Sequence, residues 1–308
     1  MPIHGLPDDT VLLHFEDEAA AAQRLSEAVH QAGGRVWPAC IERHRFPDGE
    51  LRLRLPPALP GRVLLLRSLD DPNEKLLELL IAAETARTLG AQRLTLLAPY
   101  LAYMRQDIAF NPGEAVSQRI VGAFLGRLFD DLITFDPHLH RVPSLSAIMP
   151  HTRCTVLSGA PLLADLIARR RGKALLIGPD AESAQWVAAA AASQGMEHAV
   201  CEKVRHGDRA VSISLPDCAF AGRPVVLLDD MASTGHTAAR AAQLLLAAGA
   251  ASVDLAVTHA LFVGDACAQL QAAGIGEVWS TDCIHHASNA VPVAPALAQA
   301  LLEGGVAV

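Results

Sequence analysis

Across 308 residues, twenty-five Lys and Arg face thirty-three Asp and Glu, a formal net charge of −8, with 51% hydrophobic and 19% charged residues. This composition supports a sizeable buried core spread over about two domains and excludes disorder as the dominant state. It argues against a general nucleic-acid binder or a membrane-surface protein, which want excess basic charge, and the 4% aromatic content argues against base-stacking surfaces.

Mean hydropathy is +0.26, yet every apolar run breaks early. The longest, near Ala241–Val253, contains Gln243 and Gly249 and stops at Asp254, well short of the roughly 20 residues of a spanning helix. The first residues, Met1 to Asp9, carry neither a basic start nor an apolar signal core. A soluble cytoplasmic protein with no membrane and no nucleic-acid partner is expected. The six cysteines (Cys40, Cys154, Cys201, Cys218, Cys267 and Cys283) form no Cys-x-x-Cys pair, so reduced thiols packed as small hydrophobes are expected.

In chain order, Val63–Leu66, Leu94–Leu97, Leu132–Phe135, Ala174–Ile177, Val225–Leu228 and Val253–Val257 read as short buried strands. Between them, Asn73–Leu89, Gln118–Leu128, Ala184–Gln194 and Thr237–Ala248 read as helices, with Gly90 and Gly249 as stops. Alternation of this kind predicts an α/β fold of parallel sheets flanked by helices. The pattern runs twice, from about Val11 to Phe135 and from about Ala174 to Val278, with Pro143–Arg153 as the expected linker. Two similar domains are therefore expected, at 1–147 and 148–308.

Ligands of open α/β sheets bind beyond the carboxyl ends of the strands. The strongest such end is Val225-Val-Leu-Leu-Asp-Asp-Met-Ala-Ser-Thr-Gly-His-Thr237. A helix start with Gly235 beside it is suited to a phosphate, and Ser233, Thr234 and Thr237 add hydroxyls. Asp229 and Asp230 would repel that phosphate, so they suit sugar hydroxyls or a hydrated metal, and together the parts describe a sugar-phosphate site. Simple helix capping by the hydroxyls is the alternative, although it leaves two adjacent carboxylates at a buried strand end without a reason.

This segment resembles the phosphoribosyl-diphosphate motif of the type I phosphoribosyltransferase fold. Several further segments resemble the ribose-phosphate diphosphokinases (phosphoribosyl diphosphate synthetases). Phe46-Pro-Asp-Gly-Glu50 is a turn before the alternating Leu51–Leu55 stretch. The resemblance implies that Phe46, Asp48 and Glu50 contact the adenine of ATP, often across a subunit interface. Pro99-Tyr-Leu-Ala-Tyr-Met-Arg-Gln-Asp107 is similarly implied to bind ATP through Arg105, Gln106 and Asp107, a task suited to the planar guanidinium fork. Phe135-Asp-Pro-His-Leu-His140 and Ile177-Gly-Pro-Asp180 imply Mg²⁺ ligands at His138 and Asp180. In the second of these, Ala181 and Glu182 stand where the family has glycines, and Gln185 where an Arg is common. Cys201-Glu-Lys-Val-Arg-His206 implies that Lys203 and Arg205 stabilise the transferred diphosphoryl group.

The resemblance spans about residues 40–300. It implies an N-terminal ATP-contacting domain, a C-terminal ribose-phosphate domain, and a last helix at about 291–308 that packs back on the N-terminal domain. The implied activity is diphosphoryl transfer from MgATP to ribose 5-phosphate by a homo-oligomer. Asp229 and Asp230 would hold the ribose, and Ser233, Thr234, Gly235, His236 and Thr237 its 5-phosphate. Two other readings stay open. A phosphoribosyltransferase would lack the Phe46 and Arg105 segments, whereas a non-catalytic regulatory homologue would suit Ala181, Glu182 and the short segment after Arg205.

Overall fold

The computed structural model describes residues 9–206 and 210–303, and the backbone alone for 203–206 and 210–212. The chain forms two compact units, Met1–Leu157 with Val293–Val308, and Ser158–Pro292. Both follow the same plan.

In the first unit, β1 (Val11–His14), α1 (Ala19–Gln31) and β2 (Trp37–Cys40) are followed by a hairpin of β3 (Glu42–Arg45) and β4 (Leu51–Arg54). Then come β5 (Arg62–Leu66), α2 (Pro72–Thr88), β6 (Arg93–Leu97), α3 (Ser117–Leu128), β7 (Asp131–Phe135) and β8 (Arg153–Leu157). The sheet order is β2-β1-β5-β6-β7-β8, and every neighbouring pair is parallel. With helices on its faces, such a sheet needs strands apolar on both sides, which is why the Val63–Leu66 and Leu94–Leu97 runs mark β5 and β6.

The stretch 143–153 is not a linker. It is the crossover between β7 and β8, and its Leu145, Ile148 and Met149 are buried. A single 3₁₀ turn at Leu145–Ala147 replaces the helix of other crossovers, so no helical period appears in the sequence. Because β8 extends the first sheet, the division between units falls after Leu157 rather than after residue 147.

The second unit holds α4 (Ala160–Arg171), β9 (Leu175–Gly178), α5 (Ala184–Gln194), β10 (His198–Val200) and a hairpin of β11 (Glu202–His206) and β12 (Ala210–Ser214). It continues through β13 (Pro224–Ala232), α6 (His236–Ala247), β14 (Ser252–Ala260), α7 (Ala266–Ala272), β15 (Ile275–Thr281) and β16 (Asn289–Val291). Its parallel sheet runs β10-β9-β13-β14-β15-β16. The last helix, α8 (Ala294–Leu302), belongs to the first unit, where it lies against α1 and buries Leu297, Ala298 and Leu301.

Both sheets are tied at their amino ends by a buried carboxylate. Asp131 on β7 pairs with Arg93 on β6 at 2.7 Å and Arg153 on β8 at 3.2 Å. Asp254 on β14 takes Arg171 at 2.6 Å, and Arg171 reaches Glu277 on β15 at 2.9 Å. These pairs join neighbouring strands away from the carboxyl ends, where the loops carry the predicted site residues. Among the described residues, no helix is long and apolar enough to cross a membrane.

Candidate active site

In each sheet the strand order reverses once, between β1 and β5 and between β9 and β13. Loops leaving the two strands of such a switch point diverge and open a crevice. The two crevices are used differently.

In the second unit, β9 pairs with β13 only at Val225–Leu227, whereas β14 accompanies β13 as far as Ala232. The overhanging end of β13 carries Asp229 and Asp230. Asp230 is 2% exposed, and Asp180, in the turn after β9, is 7% exposed. Burial, then Asp230, then Asp180 push the Asp229 carboxyl well above the usual carboxylate range. Three carboxylates thus converge at one end of the sheet, and a proton or a cation there relieves their repulsion.

The Asp180 turn is tight. Ser183 Oγ donates to the Asp180 carbonyl at 2.5 Å, and Asp180 Oδ1 accepts the Glu182 N–H at 3.0 Å. A Cβ at Gly178 would collide with Ser183 and crowd Val200, so only glycine fits beneath this turn. Ala181 and Glu182 form an exposed 3₁₀ turn directly after Asp180.

Beyond Asp230 the chain turns through Ser233 and Thr234 into α6. Gly235 is the cap residue at φ +74°, a left-handed conformation that favours glycine. Simple capping by the hydroxyls therefore does not describe this turn. The Ser233, Thr234 and Thr237 hydroxyls have no partner among the described residues, while backbone bonds from Leu261, Phe262 and Val263 fix the Ala232 and Ser233 carbonyls. His236 and Thr234 are exposed and Ser233 and Thr237 half-buried. A helix start with free hydroxyls suits a phosphate dianion. Lys203 and Arg205 lie two positions apart on β11, opposite Ile213 and Val211 of β12; their side chains lie outside the described residues.

In the first unit, the loops after β6 and β7 adjoin. Arg105 is exposed and Gln106 half-buried. Gln118 at the start of α3 brackets Arg105, its Nε2 donating to the Met104 carbonyl at 2.9 Å and its N–H to the Gln106 carbonyl at 3.2 Å. Asp107 does not face outward as an ATP contact. It is 3% exposed and accepts the Arg141 guanidinium at 2.8 Å and the Arg141 N–H at 3.2 Å. It therefore ties the Arg105 loop to the loop of His138 and His140, whose rings meet edge to face at 4.1 Å. Tyr103 at φ +65° and Asp136 at φ +31° hold strained backbone in these loops, a feature that clusters at functional sites.

Phe46, Asp48 and Glu50 occupy the hairpin tip. Asp48 Oδ1 accepts the Glu50 N–H at 3.1 Å and Gly49 turns at φ +95°, which leaves Phe46 exposed next to His44.

The crevice between β1 and β5 is filled from within. Arg67, directly after β5, is 1% exposed and stacks on Phe15 with its guanidinium carbon 4.6 Å from the ring centroid. It pairs with Asp17 at 2.8 Å, Glu18 at 3.6 Å and the fully buried Glu78 of α2. Burial pushes the Glu18 carboxyl up to about 7. The sequence reading missed this cluster and the pairing of Arg141 with Asp107. A carboxylate inside the apolar run Leu76-Leu-Glu-Leu-Leu80 was the available signal, because buried charge needs a partner.

Residues 15–128 match the family described as the N-terminal domain of ribose phosphate pyrophosphokinase. The chain is 37% identical to a ribose-phosphate pyrophosphokinase of Methanopyrus kandleri over 266 residues, 85% of this chain and 90% of that one. It is 33% identical to ribose-phosphate pyrophosphokinase 2 of Archaeoglobus fulgidus, covering 90% and 95% of the two chains. The fold matches the phosphoribosylpyrophosphate synthetase of Mycobacterium smegmatis with a TM-score of 0.82 at 23% identity, over 95% of this chain and 97% of that one.

Proposed function

The chain belongs to the ribose-phosphate pyrophosphokinase family, and we propose that it transfers the β,γ-diphosphoryl group of MgATP to the C1 hydroxyl of ribose 5-phosphate. In this reaction the C1 oxygen attacks the β phosphorus, the bond from that phosphorus to the α–β bridging oxygen breaks, and AMP leaves as the hydroxyl proton is lost. The observation that carries the reading is the pairing of the Ser233–Thr237 turn with the Asp229 and Asp230 carboxylates at the end of one strand. The turn takes the 5-phosphate, with Gly235 and His236 in its backbone, and the carboxylates accept the ribose hydroxyls. Arg105, Gln106 and the Phe46 loop bind ATP, with Asp107 holding the Arg105 loop in place. Phosphoryl transfer depends on positioning and charge neutralisation, so no side chain need act as a strong base.

Mg²⁺ suits the donor set, because hard carboxylate oxygens are its preferred protein ligands and the crowding that raises Asp229 leaves negative charge to neutralise. Asp180 would hold such an ion in the second unit, and His138 is the candidate metal ligand of the first. When bound, the ion would neutralise charge on the ATP phosphates. Incubation with MgATP and ribose 5-phosphate should yield AMP and phosphoribosyl diphosphate in equal amounts, and EDTA should stop it. Turnover that survives exhaustive EDTA treatment would contradict the metal assignment.

The raised Asp229 also predicts a pH dependence. The folded chain keeps this proton to higher pH than the unfolded chain, so the group's contribution to stability is present at low pH and lost as pH rises through its folded pKa. A cation among the carboxylates restores it. Added Mg²⁺ should therefore raise Tm more at about pH 8 than at about pH 5, and equal shifts at both would count against a cation there. The Ala181–Glu182 turn favours a second reading, a non-catalytic homologue that binds ATP without forming AMP; the same incubation, with ATP binding measured alongside, decides between the two.

A further inference from the structure

The hairpin of β3 and β4 forms hydrogen-bonded pairs only within itself and is no part of the parallel sheet. All four residues of β3 are exposed, and on β4 only Leu51 and Leu53 are partly covered. A two-stranded hairpin of this kind is marginal in water unless something holds it. Besides the packing of β4 on α2, two ion pairs to α2 hold it, Arg43 with Glu78 and Arg45 with Glu74, and Arg43 also lies 3.8 Å from Asp17. The second is exposed at both ends, so screening leaves it weak. The first ends on a carboxylate that is 0% exposed.

Glu78 is fixed from the other side. Arg67 reaches it from the end of β5 and is itself gripped by Asp17 and Glu18, which follow β1. Glu18 in turn accepts the Ser68 N–H at 2.6 Å. Phe15 lies beneath both guanidinium groups, with carbon-to-centroid distances of 4.6 Å for Arg67 and 5.7 Å for Arg43. A rigid path thus runs from the sheet through Arg67 and Glu78 to Arg43, three residues before Phe46.

We propose that Arg43 and Glu78, backed by Arg67, are positioning residues for nucleotide binding: they set the placement of the Phe46–Glu50 loop and thereby the affinity for ATP. This rests on the reading of that loop as part of the ATP site. Arg43 is 35% exposed, and its loss leaves Glu78 still paired with Arg67, so Arg43→Met removes the link without stranding a buried charge.

The test compares Arg43→Met, Arg43→Lys, Phe46→Ala and the Arg43→Met/Phe46→Ala double variant in the full chain. Tm, kcat and both KM values are measured for each. Arg43→Met should raise KM for ATP about tenfold while kcat and KM for ribose 5-phosphate stay within about twofold. Arg43→Lys, which keeps a cation on Glu78, should recover part of that loss. The double variant should resemble Phe46→Ala alone, because Arg43 acts through the loop and the two effects are not additive. If Phe46→Ala raises KM for ATP and Arg43→Met does not, the positioning role is wrong and the loop reading survives. If Phe46→Ala itself leaves KM for ATP unchanged, the loop reading fails and the positioning role fails with it. A fall in Tm with both KM values and kcat shifting together would reduce Arg43 to a structural residue and overturn the proposal. Should Arg43→Met not accumulate as folded protein, Arg43→Gln, which removes the cation from Glu78, is judged by the same ratio of KM values.

Discussion

Ala in place of Lys203 or Arg205 is expected to lower kcat and kcat/KM together by roughly a hundredfold or more per residue, with ATP affinity little changed. The two positions are separated by one residue on β11, and alternation in a strand puts such positions on one face. Two cations on one face suit charge that grows on a transferring diphosphoryl group. Such donors act on the transition state more than on bound ATP, and interactions of that kind raise kcat without tightening substrate binding. Because both would act on one group, the double variant should lose less than the product of the single losses. Steady-state rates with direct ATP titration provide the measurement. Single variants that keep the parent kcat would show that this hairpin takes no part in the chemistry.

Changing Asp229 and Asp230 together to Asn should weaken ribose 5-phosphate binding by at least about tenfold and leave ATP binding nearly intact, since hydrogen bonds to charged acceptors are worth about 1.5–3 kcal/mol each. The fold should tolerate the change. Asp229 is crowded by Asp230 and Asp180, and two neutral amides remove that repulsion while preserving shape. Calorimetric titration with each ligand, with Tm as a control, separates the outcomes. Equal losses for both ligands would show that the pair does not address the ribose.

The architecture was legible because buried parallel strands leave unbroken apolar runs such as Val225–Leu228, and because one turn, Ser233-Thr-Gly235, can serve little else at a strand end. Asp107 was harder. A carboxylate next to Arg105 and Gln106 reads as part of the same ligand site, yet its partner Arg141 comes from the following crossover, and no local pattern announces a contact 34 residues away. The stretch 143–153 misled for a different reason. Prolines and missing periodicity look like a linker, although Leu145, Ile148 and Met149 are buried without forming a helix face. The Arg67 cluster has elements of both cases, since its members come from four separate segments, 15–18, 43, 67–68 and 78, and only Glu78 stands out in its own sequence context.

The return of α8 to α1 has a consequence for how the protein is made. The second unit is an insertion in the first, entered after Leu157 and left before Val293. On the ribosome, the first unit emerges early but lacks the helix that lies against α1 until the second unit has been synthesised. Leu25 and Val29 of α1 are buried in the finished protein, and α1 must wait for α8 while the second unit is translated and folds. A nascent chain stopped short of residue 293 would therefore leave the first unit open on one side, a form that proteases and chaperones recognise by its exposed apolar surface. Completion of the first unit thus follows synthesis of the second.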